Sequence, residues 1–303
     1  MYEIVCDSSD RAKWLEARRS GIGGSDAPAI LGLSRFGSPL SVYASKLGAV
    51  PDEDQESELL AWGRFVEGPM MQRFTEETGR AADLFGQLVR NIERPWLMAT
   101  PDGLQRDPNR DGELGLVECK FTVYRVSDWA DGVPAHVNAQ VQHSLAATGL
   151  TYASVLVLLH GYQFRWADVE RDDAFIDGVL LPELAEFWRR VESREPPAPD
   201  ASEATRKALA ALYPEDTGAT VELPGDLIDL DRERERLKGE QRIVESRIAE
   251  IDASFKAAIG DATAGVLANG TTYTHKLQHR KETVQKASSF RVLRRVPNKR
   301  EEF

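Results

Sequence analysis

The sequence predicts an α+β fold with a C-terminal appendage of long helix and β-hairpin, on three observations. Short alternating apolar runs between Leu84 and Phe121 are separated by turn residues, the pattern of an antiparallel meander. Amphipathic helical stretches flank that meander on both sides, and the continuous apolar run Tyr152 to Leu159 suits a buried central strand. Beyond Glu195-Pro196-Pro197-Ala198-Pro199-Asp200, apolar residues recur at helical spacing for some thirty positions, marking a separate element.

Taken in order, Ser9-Asp10 caps a first helix through Trp14-Leu15 to Arg18-Arg19. Gly21-Ile22-Gly23-Gly24 breaks it, and Ser25-Asp26 is positioned to cap a short helix from Ala27 to Leu31. A glycine turn meeting a helix N-terminus presents backbone N–H groups suited to a phosphate. The next helix spans Leu59 to Thr78, stops at Gly79 and bends at Gly68-Pro69. Strands follow over Leu84–Ile92, Trp96–Ala99 and Leu114–Phe121, then a helix from Pro134 to Thr148 ending at Gly149. Phe164–Val169 pairs with the central strand across His160-Gly161-Tyr162, and a helix from Asp172 to Glu192 closes the domain. These readings place a core at 1–195, a proline-rich linker at 196–200 and the appendage at 201–303. In the appendage Leu227, Leu230, Leu237, Val244, Ile248, Ile251, Phe255 and Ile259 form one helix face, with Arg234 and Gln241 interrupting the seam. Asn269-Gly270 turns a hairpin between Gly265 and His279.

The 303 residues suffice for one large domain with an addition, and 42% apolar with 29% charged residues reads as soluble and globular. No apolar run approaches the ~20 residues of a membrane span, and the N-terminus carries no secretion signal. Cys6 and Cys119 are too few for a disulfide framework or zinc cluster, and a reducing cytoplasm is expected. The net charge of −11 argues against a general basic footprint for nucleic acid. Its distribution reopens the matter: Lys276 to Arg300 holds nine Lys/Arg against Glu282 alone, while acids cluster at Asp52–Glu58 and Asp168–Asp177. That tail reads as a DNA-binding strip, against the bland alternative of a solvated tail.

The chemistry is concentrated in Pro101-Asp102-Gly103 and Glu118-Cys119-Lys120. Alternate residues of a strand share a face, so Glu118 and Lys120 project together and Cys119 points into the sheet. Two carboxylates suit a hard divalent cation, and a lysine beside them can orient a water: the kit for phosphodiester hydrolysis. The bland reading is an Asp-Gly turn beside a surface ion pair. Gly63-Arg64-Phe65-Val66-Glu67 adds a carboxylate before the meander, and Gln140 and Gln142 lie on the helix after Lys120.

With Trp14-Leu15-Glu16-Ala17-Arg18-Arg19, Gly21-Ile22-Gly23-Gly24-Ser25-Asp26-Ala27 and Ala139-Gln140-Val141-Gln142-His143, these motifs span about Trp14 to Glu170. Over that stretch the chain resembles the YqaJ family of viral recombinases, relatives of lambda exonuclease and more distantly of the RecB nuclease domain. The resemblance implies a restriction-endonuclease-like PD-(D/E)xK core, a central mixed sheet flanked by helices. It implies that Asp102 and Glu118 are primary metal ligands with the Cys119 carbonyl, that Glu67 serves a second metal or a water, and that Lys120 positions the attacking water. Gln140 would hold that water or a phosphate oxygen, and Arg18 or Arg19 with Ser25 would receive a DNA 5′-phosphate. Mg²⁺ would be the cofactor, Mn²⁺ a substitute, with two ions per site. The implied activity is 5′-to-3′ degradation of one strand of linear duplex DNA. The implied setting is a bacterial cytoplasm, phage or prophage encoded, with a single-strand annealing protein as partner and a ring trimer as assembly. RecB-like nucleases carry Gln-x-x-x-Tyr on the Gln140 helix; here Ser144 stands in the tyrosine's place, favouring the YqaJ type.

Two rivals use the same residues: a structure-specific endonuclease, and a DNA-end-binding module without catalysis. Gln142 faces another side of its helix from Gln140 and reads as structural. His136, His143 and His160 lack metal-ligand spacing, the scattered tryptophans read mostly as core, and no Gly-x-Ser-x-Gly elbow surrounds Ser25.

Overall fold

The computed structural model describes residues 1–50, 58–280 and 290–296. The chain forms two compact units, Met1–Pro214 and Glu215–Phe303.

The first unit is built on a five-stranded mixed sheet in the order β2 (Ala81–Leu84), β5 (Gly103–Asp107), β6 (Glu113–Thr122), β7 (Tyr152–Leu159), β8 (Gln163–Glu170). β5 and β6 pair antiparallel, β6 and β7 parallel, β7 and β8 antiparallel. A parallel pair requires a crossover. Here α5 (Ala135–Thr148) supplies it, stopped by Gly149 in the left-handed region at φ 77°. Leu116, Val137, Val141, Leu145, Ala153 and Val155 bury together between α5 and one sheet face. On the opposite face α4 (Glu58–Thr78) packs Met70, Met71 and Phe74 on Val117 and Leu156. Coverage on both faces explains why β7 is apolar but for Ser154, which is buried and bonded to Gln105 and Asp168.

A second sheet holds β1 (Tyr2–Asp7), β3 (Gln87–Asn91) and β4 (Met98–Ala99). The expected single meander is therefore split between two sheets, and the chain crosses from one to the other at Thr100–Asp102, immediately before β5. Three further helices lie toward the N-terminus: α1 (Arg11–Arg18), α2 (Ala27–Ile30) and α3 (Pro39–Lys46). The helix expected over Asp172–Glu192 consists of α6 (Asp173–Phe175), a π-helical segment Ile176–Leu180 and α7 (Leu181–Ser193).

The first unit continues past the proline stretch at 196–200, where the sequence suggested its end. Ser202 caps α8 (Glu203–Leu212), whose buried Ala208 and Thr205 return to the core. The Thr205 hydroxyl donates to Ser38 Oγ at 2.8 Å, at the N-terminus of α3. α8 belongs with the core because it buries an apolar face there.

In the second unit α9 (Leu227–Ile259) is one continuous helix, so Arg234 and Gln241 interrupt its seam without breaking it. β9 (Ala264–Val266) and β10 (Thr272–Thr274) form the expected hairpin, with Tyr273 stacked on Phe255 at 4.0 Å between centroids. The basic tail is described only in part: Lys281, Lys286, Lys299 and Arg300 lie outside the described residues, as do all but Glu58 of the Asp52–Glu58 acids.

Gly103 shows how tightly β5 is seated. A Cβ there would lie 2.6 Å from Met71 Cε and 2.7 Å from the Asp83 carbonyl oxygen. Methionine can move aside; the backbone of the paired strand cannot. Gly103→Ala is expected to destabilise the protein by about 1–3 kcal/mol through overpacking, read as a lower urea midpoint at unchanged slope.

Candidate functional site

Asp102, Glu118, Lys120, Glu67 and Gln140 line one recess of about 360 Å³, together with Trp14, Arg18, Gly23, Gly24 and Ser25. Asp102 is fixed where the chain enters β5. Its carbonyl accepts from Phe85 N–H at 3.0 Å and its Oδ2 from Cys119 N–H at 2.7 Å. Glu118 and Lys120 rise from the same face of β6, with Nζ 2.6 Å from Glu118 Oε1. Gln140 closes a triangle from α5: its Nε2 donates to Glu118 Oε1 at 2.6 Å and its Oε1 accepts from Lys120 Nζ at 2.9 Å. Glu67 enters from α4.

The electrostatics follow from burial and like charge. Burial, then the neighbouring Glu118, raises the Glu67 carboxyl to about 7. Burial, Glu118 and Glu67 together hold Asp102 well above the usual carboxylate range. Burial works against the Lys120 ammonium, yet Glu118 and Asp102 keep its pKa above the ordinary lysine value. Lys120 is therefore a fixed cation, and the acids around it outnumber it. Burial and Asp102 raise the Cys119 thiol well above its usual value, so it stays protonated.

A divalent cation is the chemical complement of this donor set. The oxygens are hard, the acids outnumber the one ammonium, and Glu118 Oε2 and Asp102 Oδ1 carry no hydrogen bond among the described residues. Among those residues no three Asp, Glu, His or Cys groups already converge as a ready-made metal cage. The donors thus fit a cation by chemistry and open oxygens rather than by a closed cage.

The other wall is basic. Arg18 Nη2 donates to Ser25 Oγ at 2.7 Å and to Asp26 Oδ1 at 3.0 Å, and its guanidinium lies 4.8 Å over the Trp14 ring. Arg19, by contrast, turns its guanidinium toward Gly48, away from the recess. Of the two arginines only Arg18 lines the site.

Asp26 does not cap α2, as the sequence suggested. Its carboxylate accepts from Gly23 N–H at 2.8 Å, from Lys46 Nζ at 2.6 Å and from Arg18. Lys46 also donates to the Arg18 carbonyl at 3.0 Å. Burial opposes the Asp26 charge, but Arg18 and Lys46 outweigh it and hold the carboxyl far below its ordinary range. Sequence reasoning missed this support and the placement of Trp14, whose Nε1–H donates to Thr100 Oγ1 at 3.0 Å. The available signals were the i, i+4 spacing of Trp14 and Arg18, and a lone lysine after the apolar stretch of α3. Gln142 is structural as expected, bonded to the Glu170 carbonyl and Asp172 N–H. His143 is buried, its Nε2 between the Ile22 and Met98 carbonyls at 3.1 and 2.9 Å.

The family model for the YqaJ-like viral recombinase domain matches residues 13–151. The YqaJ protein of Bacillus subtilis (strain 168) is 32% identical over 278 residues, 88% of this chain and 84% of that one. Among solved structures, an alkaline exonuclease from Laribacter hongkongensis superposes with TM-score 0.49 at 21% identity, covering 67% of this chain and 100% of that one. A phage-related exonuclease from Haemophilus somnus 129PT gives 0.41 at 12%, covering 57% and 96%.

Two predictions follow from the charges. A raised Glu67 means the folded protein binds a proton that the unfolded chain releases near 4.5, so stability falls as pH rises from there to about 7. In a chelator, Glu67→Gln should gain nothing near pH 4.5 and about 1–2 kcal/mol at pH 8, allowing for solvent screening. A gain independent of pH in urea unfolding would refute the assignment. Asp26→Asn alone should cost about 3–5 kcal/mol by stranding buried Lys46, and adding Lys46→Met should recover most of that loss in the same assay.

Proposed function

The chain belongs to the YqaJ-like viral recombinase family, and from that premise we propose that it is a metal-dependent 5′-to-3′ exonuclease on linear duplex DNA. The observation that carries the proposal is the convergence of Glu67, Asp102, Glu118, Lys120 and Gln140 on one recess whose opposite wall is Arg18 and Ser25. An acidic, cation-seeking side next to a fixed arginine suits a phosphodiester held beside a terminal phosphate.

In this reading Asp102 and Glu118, with the Cys119 carbonyl, hold the first Mg²⁺, and Glu67 serves a second ion or its water; Mn²⁺ would substitute. When bound, such an ion supplies Lewis acidity at the phosphoryl oxygen. The remaining work belongs to the side chains. Lys120, permanently charged, directs its N–H groups at the attacking water and at charge growing on the phosphoryl oxygens. Gln140 fixes the ammonium's direction and can pass a hydrogen bond to the same water. Glu67, its carboxyl raised to about 7, takes the proton that the attacking water loses. Arg18 and Ser25 receive the 5′-phosphate, a contact that sets position and carries no sequence information. The product strand, with its 3′ end intact, would pass to a single-strand annealing protein in a bacterial host cell; a homotrimer is the assembly proposed by family resemblance. No helix among the described residues is long and apolar enough to cross a membrane.

The test is digestion of end-labelled linear duplex with Mg²⁺, comparing 5′-phosphate, 5′-hydroxyl and covalently closed circular substrates. Mononucleotides should leave only from 5′-phosphorylated ends, and Lys120→Ala and Glu118→Ala should each lower the rate by about 100-fold or more. Cutting of circles would replace the exonuclease with an endonuclease. Absence of metal-dependent cleavage would leave an end-binding module.

A further inference from the structure

A second recess opens on the same sheet face as the acidic site. Strand register locates it: Glu118 pairs with Val155 and Lys120 with Val157 across β6 and β7. In turn Val155 pairs with Ala167 and Val157 with Arg165 across β7 and β8. Directly paired residues point to one face, so Lys120, Val157 and Arg165 form a row two strand spacings long, about 10 Å. Val155, Val157 and Ala167 floor a recess of about 210 Å³, and Trp129, Ala130, Gly132 and Val133 wall it from the segment joining β6 to α5. Arg165 stands at its rim.

The polar groups here are unspent. Arg165 is exposed and has no ion pair or hydrogen bond among the described residues, and the Trp129 indole N–H has none either. No acid lines the recess. Asp168, close by in sequence, belongs to the other sheet face, where Arg80 holds it at 2.7 and 2.9 Å. An apolar floor, an indole and an unpaired guanidinium are the components of a site for one unstacked base with its phosphate. The volume lies below the roughly 300 Å³ at which pockets for drug-sized ligands begin, a size suited to a single base. Bases within a duplex are stacked on both sides and cannot enter such a recess.

We propose that the Trp129–Arg165 recess is a subsite for an unpaired nucleotide of the strand that is left undegraded. The assignment rests on the nuclease reading above: removal of one strand at Lys120 leaves its complement unpaired, within about two strand spacings of Arg165. Trp129 stacks on the base, Val155 and Val157 exclude water beneath it, and Arg165 holds the adjoining phosphate. The subsite keeps the substrate from dissociating between successive cleavages.

Two measurements separate this proposal from the reading beneath it. In EDTA, fluorescence anisotropy of a labelled oligothymidylate reports single-strand affinity without turnover. Arg165→Glu and Trp129→Ala should each weaken it by about tenfold, while Trp129→Phe retains most of it. With Mg²⁺, the same variants should resect shorter tracts of long duplex yet release the first nucleotide of a short duplex at the parental rate. If Trp129→Ala fails to fold, the charge reversal at exposed Arg165 decides. Unchanged oligothymidylate affinity in Arg165→Glu overturns the subsite whatever the nuclease result. Absence of any Lys120-dependent nucleotide release overturns the nuclease reading, and the anisotropy result then still reports whether the recess binds a single strand.

Discussion

Three carboxylates share one recess with a single ammonium, and the rest of the first unit is arranged around that imbalance. Burial strips water from these carboxylates, and the neighbouring like charge adds to that cost, which is why the Glu67 carboxyl rises to about 7 and Asp102 rises with it. Each acid is delivered by a different element. The β5–β6 pairing brings Asp102 to the Cys119 N–H, the face alternation of β6 sets Glu118 beside Lys120, and α4 carries Glu67 in from the side. The parallel β6–β7 pair forces a crossover helix, and that helix is what brings Gln140 against both members of the Glu118–Lys120 pair. A scaffold that gathers like charge in this way is under electrostatic strain that a bound cation would relieve.

The basic wall is stabilised by the opposite device. Asp26 is surrounded by Arg18, Lys46 and the Gly23 N–H, so its charge is more than matched and Arg18 is held by its guanidinium and, through Lys46, by its carbonyl. Stacking over Trp14 removes a further degree of freedom from the guanidinium. One side of the recess thus has carboxyls that a cation would induce to ionise, and the other a pinned guanidinium. A phosphate terminus beside a metal-seeking centre matches that polarity.

Much of this was legible in the sequence, for reasons that differ by residue. Tyr152–Leu159 was readable because a strand buried on both faces is apolar at nearly every position, Ser154 being the exception. The convergence of Glu118 and Lys120 on one face was readable because strand alternation is local. Arg18 against Arg19 was not decidable: adjacent helical residues point to different sides, and the choice is made by Trp14 and Asp26 acting through space. Asp26 looked like a cap because Ser-Asp before a helix usually is one, and its actual partner Lys46 lies twenty residues further on. The split of the meander into two sheets was hidden because local alternation carries no information about which strands pair. α8 falls in the appendage on sequence alone because a proline stretch resembles a boundary, whereas here it marks only stiffness; the hydroxyl contact from Thr205 to Ser38 spans 167 residues.

The overall charge of −11 bears on how such a site would find a polyanion. At physiological salt the field of exposed charge decays over about 8 Å, so an acidic surface neither attracts DNA from a distance nor prevents contact once a cation is met at close range. A protein that gripped duplex along its length would need a basic stripe, because affinity there scales with the number of phosphates neutralised. The cations that the proposed reading assigns to the substrate are Arg18 and Lys120 at the acidic centre and Arg165 on the sheet face of Lys120. Their fixed placement, rather than their number, would carry recognition. That economy is suited to a terminus, where one fixed arginine can meet a doubly charged phosphate, and ill suited to the interior of a duplex, where each phosphate carries a single charge and resembles the next. The acidic balance, which at first argues against nucleic acid, is on this account compatible with a protein that engages an end and disregards the rest.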